Sequence, residues 1–419
     1  MDLLHARCAG LDVHKDLIVG CIRVQEGRQA TTTLMRFGAT TRELLKLSEW
    51  LHAAGCTHVA MEATGVYWKP VWHILEDSFA LVLANAGHIK GVPGRKSDVN
   101  DAAWIADLLA HGLIRGSMVP PQPVQEIREL TRERLGFVRE VTRHTQRVQK
   151  VLEDCNVKLS SVLSDTMGLT GRKILRAIVK GQKDPERLAD LAHGGVKASR
   201  EELVESLRGR YTPHNRFLLE QHLKAIEDSE KIISVIERRI GKAIEPFRDA
   251  IERLSTIPGV SKTAAASIVG EIGVDMGRFE TDDHLVSWAC LCPRMEESAG
   301  KRRSTRIRKG ANYLKPLLLQ GAWAAIRTKG SYLRAKYYRL KSRRGSKKAA
   351  IAIAASILRA VYIVLRDGVN YRELGADYFI PKDRLKVAKR LAARIQELGF
   401  TNQCRLLMTK PWRRDTLAA

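Results

Sequence analysis

Apolar positions in the first 120 residues come in short runs. "CAGLDVHKDLIVGCIRV" reads as two paired strands around a polar break at Val13–Asp16, and "THVAMEAT" and "ALVLANA" read as two more. Between them, "TTRELLKLSEWLHAAG" and "YWKPVWHILEDS" carry apolar residues at helical spacing. Strands alternating with helices predict a layered α/β domain. Three prolines in "VPPQPV", Val119–Val124, end it.

The period then changes. Ile127, Leu130, Val138, Val141, Val148 and Leu152 recur at spacings close to three and four, and Leu219, Leu223, Ile226, Ile233, Ile236, Ile240 and Ile244 do the same. Each stretch is long for a globular helix and has the period of a coiled-coil seam. Together with "GGVKASREELVESLRGRYTP" between them, they predict an extended helical arm, with an ordinary helical bundle as the alternative. "LSTIPGVSKTAAASIVGEIG", Leu254–Gly273, has the form of a helix–hairpin–helix, whose second helix offers backbone N–H groups suited to a phosphate. The expected organisation is an α/β domain over 1–120, a coiled-coil or helical arm over 121–250, a mainly helical domain over 251–385 and a basic tail over 386–419. The most apolar run, "AAIAIAASILRAVYIVL" (Ala349–Leu365), is short for a membrane span and interrupted by Arg359, so it predicts a buried helix.

Charge changes this picture. The 419 residues carry a formal net charge of +25, but residues 1–120 hold twelve basic and twelve acidic side chains. Residues 294–350 hold eighteen Lys and Arg against two Glu. A polyanion that meets mainly the C-terminal half is implied, and nucleic acid fits better than a membrane. The basic residues are interleaved with Gly, Ser and Tyr rather than set along one apolar helix face. The seven cysteines are scattered without a CxxC pair and the N-terminus lacks a secretory signal. Both predict a cytoplasmic chain with reduced thiols.

Four carboxylates suggest chemistry. Asp12 sits in an apolar strand pattern, where an acid needs a partner or a cation to offset its desolvation. Glu62 lies near the end of another strand, and Asp98 and Asp101 are three apart in "KSDVNDAAWIADLL", on one face of a helix start. Converging, such groups can hold one or two divalent metals for phosphoryl transfer, with Mg²⁺ or Mn²⁺ favoured by all-oxygen ligands. Asp98 also suits a plain helix cap, and Asp16, Asp107 and His14 lie close enough in sequence to compete.

"EESAGKRRSTRIRKGANYL", Glu296–Leu314, sets two serines among cations. A serine hydroxyl is a weak nucleophile that needs its proton removed and the charge on the attacked phosphate stabilised. Lys301, Arg302, Arg303, Arg306, Arg308 and Lys309 suit that role and backbone binding, with Asn312 nearby. Chemistry alone leaves Ser298 and Ser304 both open as nucleophiles. Tyr332, Tyr337 and Tyr338 alternate with Arg and Lys, as in surfaces that stack bases, whereas Trp288 and Trp323 lie in apolar surroundings that suggest packing.

"GLDVHKD", "AMEATGVYW", "KSDVNDA", "TIPGVSKTAAASIVGEIG" and "SAGKRRSTRIRKGANYL" occur in an order that resembles the insertion-sequence one-ten family of bacterial transposases, from about Ala9 to Phe379. The resemblance implies a DEDD-type, RNase H-like (RuvC-like) N-terminal domain with Asp12, Glu62, Asp98 and Asp101 as metal ligands. It also implies a C-terminal transposase domain with Ser298 as nucleophile, although "SAG" stands here where many relatives have "SGG". It further implies a recombinase guided by a structured bridge RNA that pairs with donor and target DNA. The DNA would be cut through a covalent phosphoserine link, in a composite centre completed by a neighbouring subunit of a dimer or tetramer, in the bacterial cytoplasm at the nucleoid. A RuvC-like nuclease using the carboxylates alone, such as a junction resolvase, is the rival reading.

Overall fold

The structure is a computed structural model that describes residues 3–399 apart from 28, 64, 86–88, 90–100, 115, 294–295, 299, 305 and 380–383. For residues 296–298, 302–304 and 384–389 it describes the backbone alone. The chain divides into two compact units, Met1–Pro120 and Pro121–Ala419.

The first unit is a mixed sheet between helices. Its elements are β1 (Arg7–Val13), β2 (Leu17–Glu26), β3 (Gln29–Gly38), α1 (Thr41–Ala53), β4 (His58–Glu62), α2 (Trp68–Leu75), β5 (Ala80–Ala84) and α3 (Asp101–Ala110). The strand order is β3-β2-β1-β4-β5. β1, β2 and β3 run antiparallel in turn, and β4 and β5 run parallel to β1. Alternate residues of each strand face opposite ways. Ala9, Leu11, Val59 and Met61 therefore face Leu44, Leu47 and Leu51 of α1 and Val71 and Leu75 of α2. Cys8, Ala60 and Ala84 face Ile105, Leu108 and Leu109 of α3. β3 is an edge strand whose first eight residues are all exposed.

The second unit is mostly helical. α4 (Gln122–Asp154, 33 residues) has a proline in its first turn, where the missing N–H costs nothing. Four short helices follow: α5 (Leu159–Val162), α6 (Leu169–Val179), α7 (Pro185–Ala189) and α8 (Arg200–Ser206). α9 (Pro213–Ala243, 31 residues) starts at a reciprocal Thr212–Asn215 cap and returns along α4. The pairs Arg134–Glu237 and His144–His222 show that the two long helices are antiparallel. At their far end Val148, Val151 and Leu152 of α4 and Leu219, Leu223 and Ile226 of α9 join Ile174, Leu175, Leu203 and Leu207 in one core.

Beyond α9 come α10 (Arg248–Ser255), α11 (Lys262–Ile272), α12 (Asp282–Trp288), β6 (Glu296–Ser298), β7 (Lys301–Ser304), α13 (Leu314–Arg327), α14 (Tyr332–Arg344), α15 (Ser346–Asp367) and α16 (Arg384–Glu397). α15 packs against α10, α12, α13 and α14. It is long and apolar enough to cross a membrane, with a mean hydropathy of 1.9, yet most of it is buried within the fold. The turn between α10 and α11 is as tight as its Pro258-Gly259 suggests. Gly259 has φ +86°, and a Cβ there would fall 2.1 Å from the Gly321 carbonyl oxygen of α13. Only glycine permits that approach.

α4 is fastened to this region at its root. Arg128 donates to the carbonyls of Gly270 and Glu271 at 2.9 and 2.8 Å. Arg132 makes a two-pronged bond to the buried Glu271 carboxylate at 2.7 and 2.8 Å. Those bonds raise Arg132 above the ordinary guanidinium range.

Among the described residues the six cysteines are free. Burial pushes Cys8 up to about 12 and Cys21 and Cys56 up to about 11, so these thiols are inert. Cys404 lies outside the described residues.

Candidate functional site

The acidic set is built from the sheet upward. β1 and β4 are parallel neighbours with Leu11 beside Met61, which makes Asp12 and Glu62 the next positions along. Strand alternation sends both to the side on which Gly10 and Ala60 lie, the side covered by α3. α3 lies very close to β1 there. A Cβ on Gly10 would fall 2.3 Å from the Ala102 oxygen and 2.4 Å from the Ala106 nitrogen. The Leu4 N–H donates to the Ala110 oxygen, and the Cys8 thiol to the Ala106 oxygen. Successive positions from Leu4 through β1 thus meet earlier residues of α3, and the helix start, with Asp101 as its first residue, points toward the Asp12 end of the strand.

The Asp12 side chain is 20% exposed and its Oδ2 lies 3.1 Å from His14 Nε2. Asp98 lies outside the described residues. Among the described residues, no three His, Cys, Asp or Glu side chains stand close enough to hold one metal ion. What the structure brings together is a pair of neighbouring strand-end carboxylates on one face, with Asp101 at the start of the helix that covers it. Their all-oxygen chemistry suits a hard divalent cation.

The competing acids separate clearly. Asp16 is exposed in the β1–β2 turn. Asp107 sits further along α3, with Oδ1 3.3 Å from Nε of the buried Arg23 and 3.6 Å from the His111 ring. It is spent on an ion pair. His14, which sequence reasoning ranked with these, is the one that reaches Asp12. The signal was present in the i, i+2 spacing, although His14 lies one residue past the end of β1.

The two serines lie on a β-hairpin. Ser298 pairs with Lys301, so Ser298 closes the hairpin at its turn, whereas Ser304 pairs with Glu296 at the other end, beyond a bulge. Gly300 has φ +72° in that turn and nothing within 4 Å of where a Cβ would be. Its left-handed conformation makes the tight reversal. Ala299 lies outside the described residues. Glu297 stands opposite Arg302 in the backbone register.

Of the cations expected to bind nucleic acid, Lys301, Arg306 and Lys309 are exposed, as is Asn312. Arg302 and Arg303 lie on β7. Arg308 is used locally, since its Nη2 donates to the carbonyl and hydroxyl of Ser287 at the end of α12. Lys315 in turn donates to the Arg308 carbonyl. After this loop, Tyr313 lies under the Arg132 guanidinium at 4.2 Å. Arg132, Tyr313, Ser261, Thr263 and Gln320 line a pocket of about 430 Å³ at the start of α11. Sequence reasoning missed Arg132 because its partners are more than 130 residues away.

A DEDD-type transposase profile of the IS110 family matches residues 9–157, and the profile described as "Transposase IS116/IS110/IS902 family" matches residues 251–338. The chain is 24% identical over 373 residues to the transposase for insertion sequence element IS1111A of Coxiella burnetii (strain RSA 493 / Nine Mile phase I). That alignment covers 87% of this chain and 90% of the relative. A local similarity to a tryptophan synthase alpha chain of Acidothermus cellulolyticus, 35% identical over 111 residues, spans 26% of this chain and 40% of that protein, too little of either to bear on function. A DEDD-type domain implies dependence on a divalent cation, and a transposase implies a DNA substrate. With both domains matched in order over more than half of its length, the chain belongs to the IS110 family of transposases, enzymes of DNA transposition.

Proposed function

We propose that this transposase cuts and rejoins DNA through a covalent phosphoserine intermediate at Ser298. The observation that carries the reading is the position of Ser298 at the turn of a hairpin, paired with Lys301 in the most basic part of the chain. In the proposed step Ser298 Oγ attacks a backbone phosphorus. An O–P bond forms, the bond from phosphorus to one deoxyribose oxygen breaks, and that oxygen takes up a proton. Attack by a hydroxyl of the other DNA on the phosphoserine reverses the step, rejoining the strands and freeing the serine. Lys301, Arg302, Arg303, Arg306 and Lys309 offset the phosphate charge. Arg308 holds the loop's shape through Ser287.

Asp12, Glu62, Asp98 and Asp101 act as ligands of Mg²⁺ or Mn²⁺, and His14 orients Asp12. When bound, the cation supplies charge stabilisation at the transferring phosphate. The strand order β3-β2-β1-β4-β5, antiparallel through β1 and parallel beyond it, supports an RNase H-like, RuvC-like reading of residues 1–120. The paired α4 and α9 support reading 121–250 as a coiled-coil arm, with a transposase domain over 251–385 and a basic tail after it. We further read the enzyme as a homo-oligomer guided by a bridge RNA and acting at the bacterial nucleoid, with the serine of one subunit served by the acids of another.

The test is a denaturing gel of labelled junction DNA incubated with the protein, its guide RNA and Mg²⁺. Wild type and Ser304→Ala give a protein–DNA adduct, and Ser298→Ala gives none. Asp12→Asn with Glu62→Gln loses cleavage and keeps DNA binding. An undiminished adduct from Ser298→Ala removes the serine assignment. Cleavage without any adduct, from wild type and Ser298→Ala alike, favours a metal-dependent nuclease of the junction-resolving kind.

A further inference from the structure

Trp323 on α13 and Tyr338 on α14 are 44% and 49% exposed. They are joined through the buried Tyr337. Trp323 meets Tyr337 edge-on at 6.0 Å, and Tyr337 meets Tyr338 edge-on at 5.3 Å. Because the middle ring is held in the core, the outer two are fixed in orientation while each keeps surface open to solvent. Cations flank them. Arg334 and Lys341 lie one turn either side of Tyr338, 5.4 and 5.8 Å from its ring centre. α14 contains six Arg and Lys and no acid. Among the described residues, no carboxylate forms an ion pair with Arg334, Arg339, Lys341, Arg343 or Arg344.

We propose that Trp323 and Tyr338 form a stacking platform for unpaired DNA bases, with Arg334 and Lys341 holding the adjoining phosphates. Flat, preoriented rings beside unneutralised cations match the two parts of a nucleotide. The base pairs of an intact duplex have their faces covered by their neighbours, so the rings select melted DNA. The activity supplies such DNA, since strands must be opened to be exchanged. The inference rests on DNA transposition and not on which hydroxyl attacks. The surface is separate from the Ser298 hairpin in sequence and needs no cleavage to be read.

The test is fluorescence anisotropy at fixed salt, using the full-length protein and one sequence presented as single-stranded DNA, duplex DNA and single-stranded RNA. Trp323→Ala combined with Tyr338→Ala is expected to weaken single-stranded DNA binding about tenfold or more. Duplex affinity and the salt dependence should stay unchanged, because no cation is lost. Trp323→Phe with Tyr338→Phe should restore binding, since stacking needs only the ring. Equal losses on single strand and duplex, failure of the phenylalanine pair to restore binding, or an effect confined to RNA would each overturn the proposal. Failure of the Ser298 adduct test leaves this contrast untouched, so the two readings can fail separately.

Discussion

At residue 10 a single hydrogen in place of a methyl group sets the distance between sheet and helix. Gly10→Ala would drive a Cβ into the Ala102 and Ala106 backbone, so α3 has to move outward. The expected cost is about 1–3 kcal/mol in urea unfolding. Because α3 carries Asp101 at its start, recombination should fall further than DNA affinity does. Unchanged activity and stability would show that this contact does not position the acid. Asp12 was legible in the sequence because an acid in an apolar strand demands a reason. That Asp107 pairs with Arg23 was not, because it depends on Arg23 being brought across from β2. Arg308 likewise read as one more cation, and only the fold shows it holding Ser287.

The elements most easily read from the sequence were those with a buried face. β1, β2, β4 and β5 have apolar runs, and the two long helices have their seams. β3 was invisible because "QATTTLMRFG" is an exposed edge strand held by backbone pairing with β2, with little apolar alternation. The β6–β7 hairpin was hidden by its charge, since seven residues of Glu, Ser, Lys and Arg look like a loop until their register is known. Between α4 and α9 the His144 and His222 rings meet, with their Nδ1 atoms 3.1 Å apart. Burial, then the neighbouring His144 and Arg147, holds His222 below the usual imidazole value of 6.5. A lowered value means that the unfolded chain takes up a proton first as pH falls. Stability is therefore full above pH 6.5 and is lost as pH drops through the folded value. Thermal unfolding followed by circular dichroism should show a lower midpoint at pH 5.5 than at pH 7.5, by about 1–2 °C for a chain of this size. His222→Gln should flatten that difference, and an equal slope in the variant would mean that another group is responsible.

For the whole molecule, charge is the property that composition gave and the fold distributes. The neutral first 120 residues contrast with the strongly basic 294–350 stretch. DNA affinity should thus fall steeply with salt, each neutralised phosphate adding about 0.9 to the logarithmic slope. Changing Lys301, Arg306 and Lys309 together to Gln should lower that slope by about 2.7. An unchanged slope would place the binding surface elsewhere. Composition could not show that Trp323 is exposed, because its apolar neighbours Ala322 and Ala325 point inward while it does not.

The clamp of Arg128 and Arg132 on Glu271 has a mechanical result. A 33-residue helix is roughly 50 Å long. Fixed at its root, it is a lever, and one degree of tilt there sweeps the far end through about 1 Å. Because Arg132 also covers Tyr313, just past the serine hairpin, a load applied at the distant tip is felt first beside the loop that follows the hairpin.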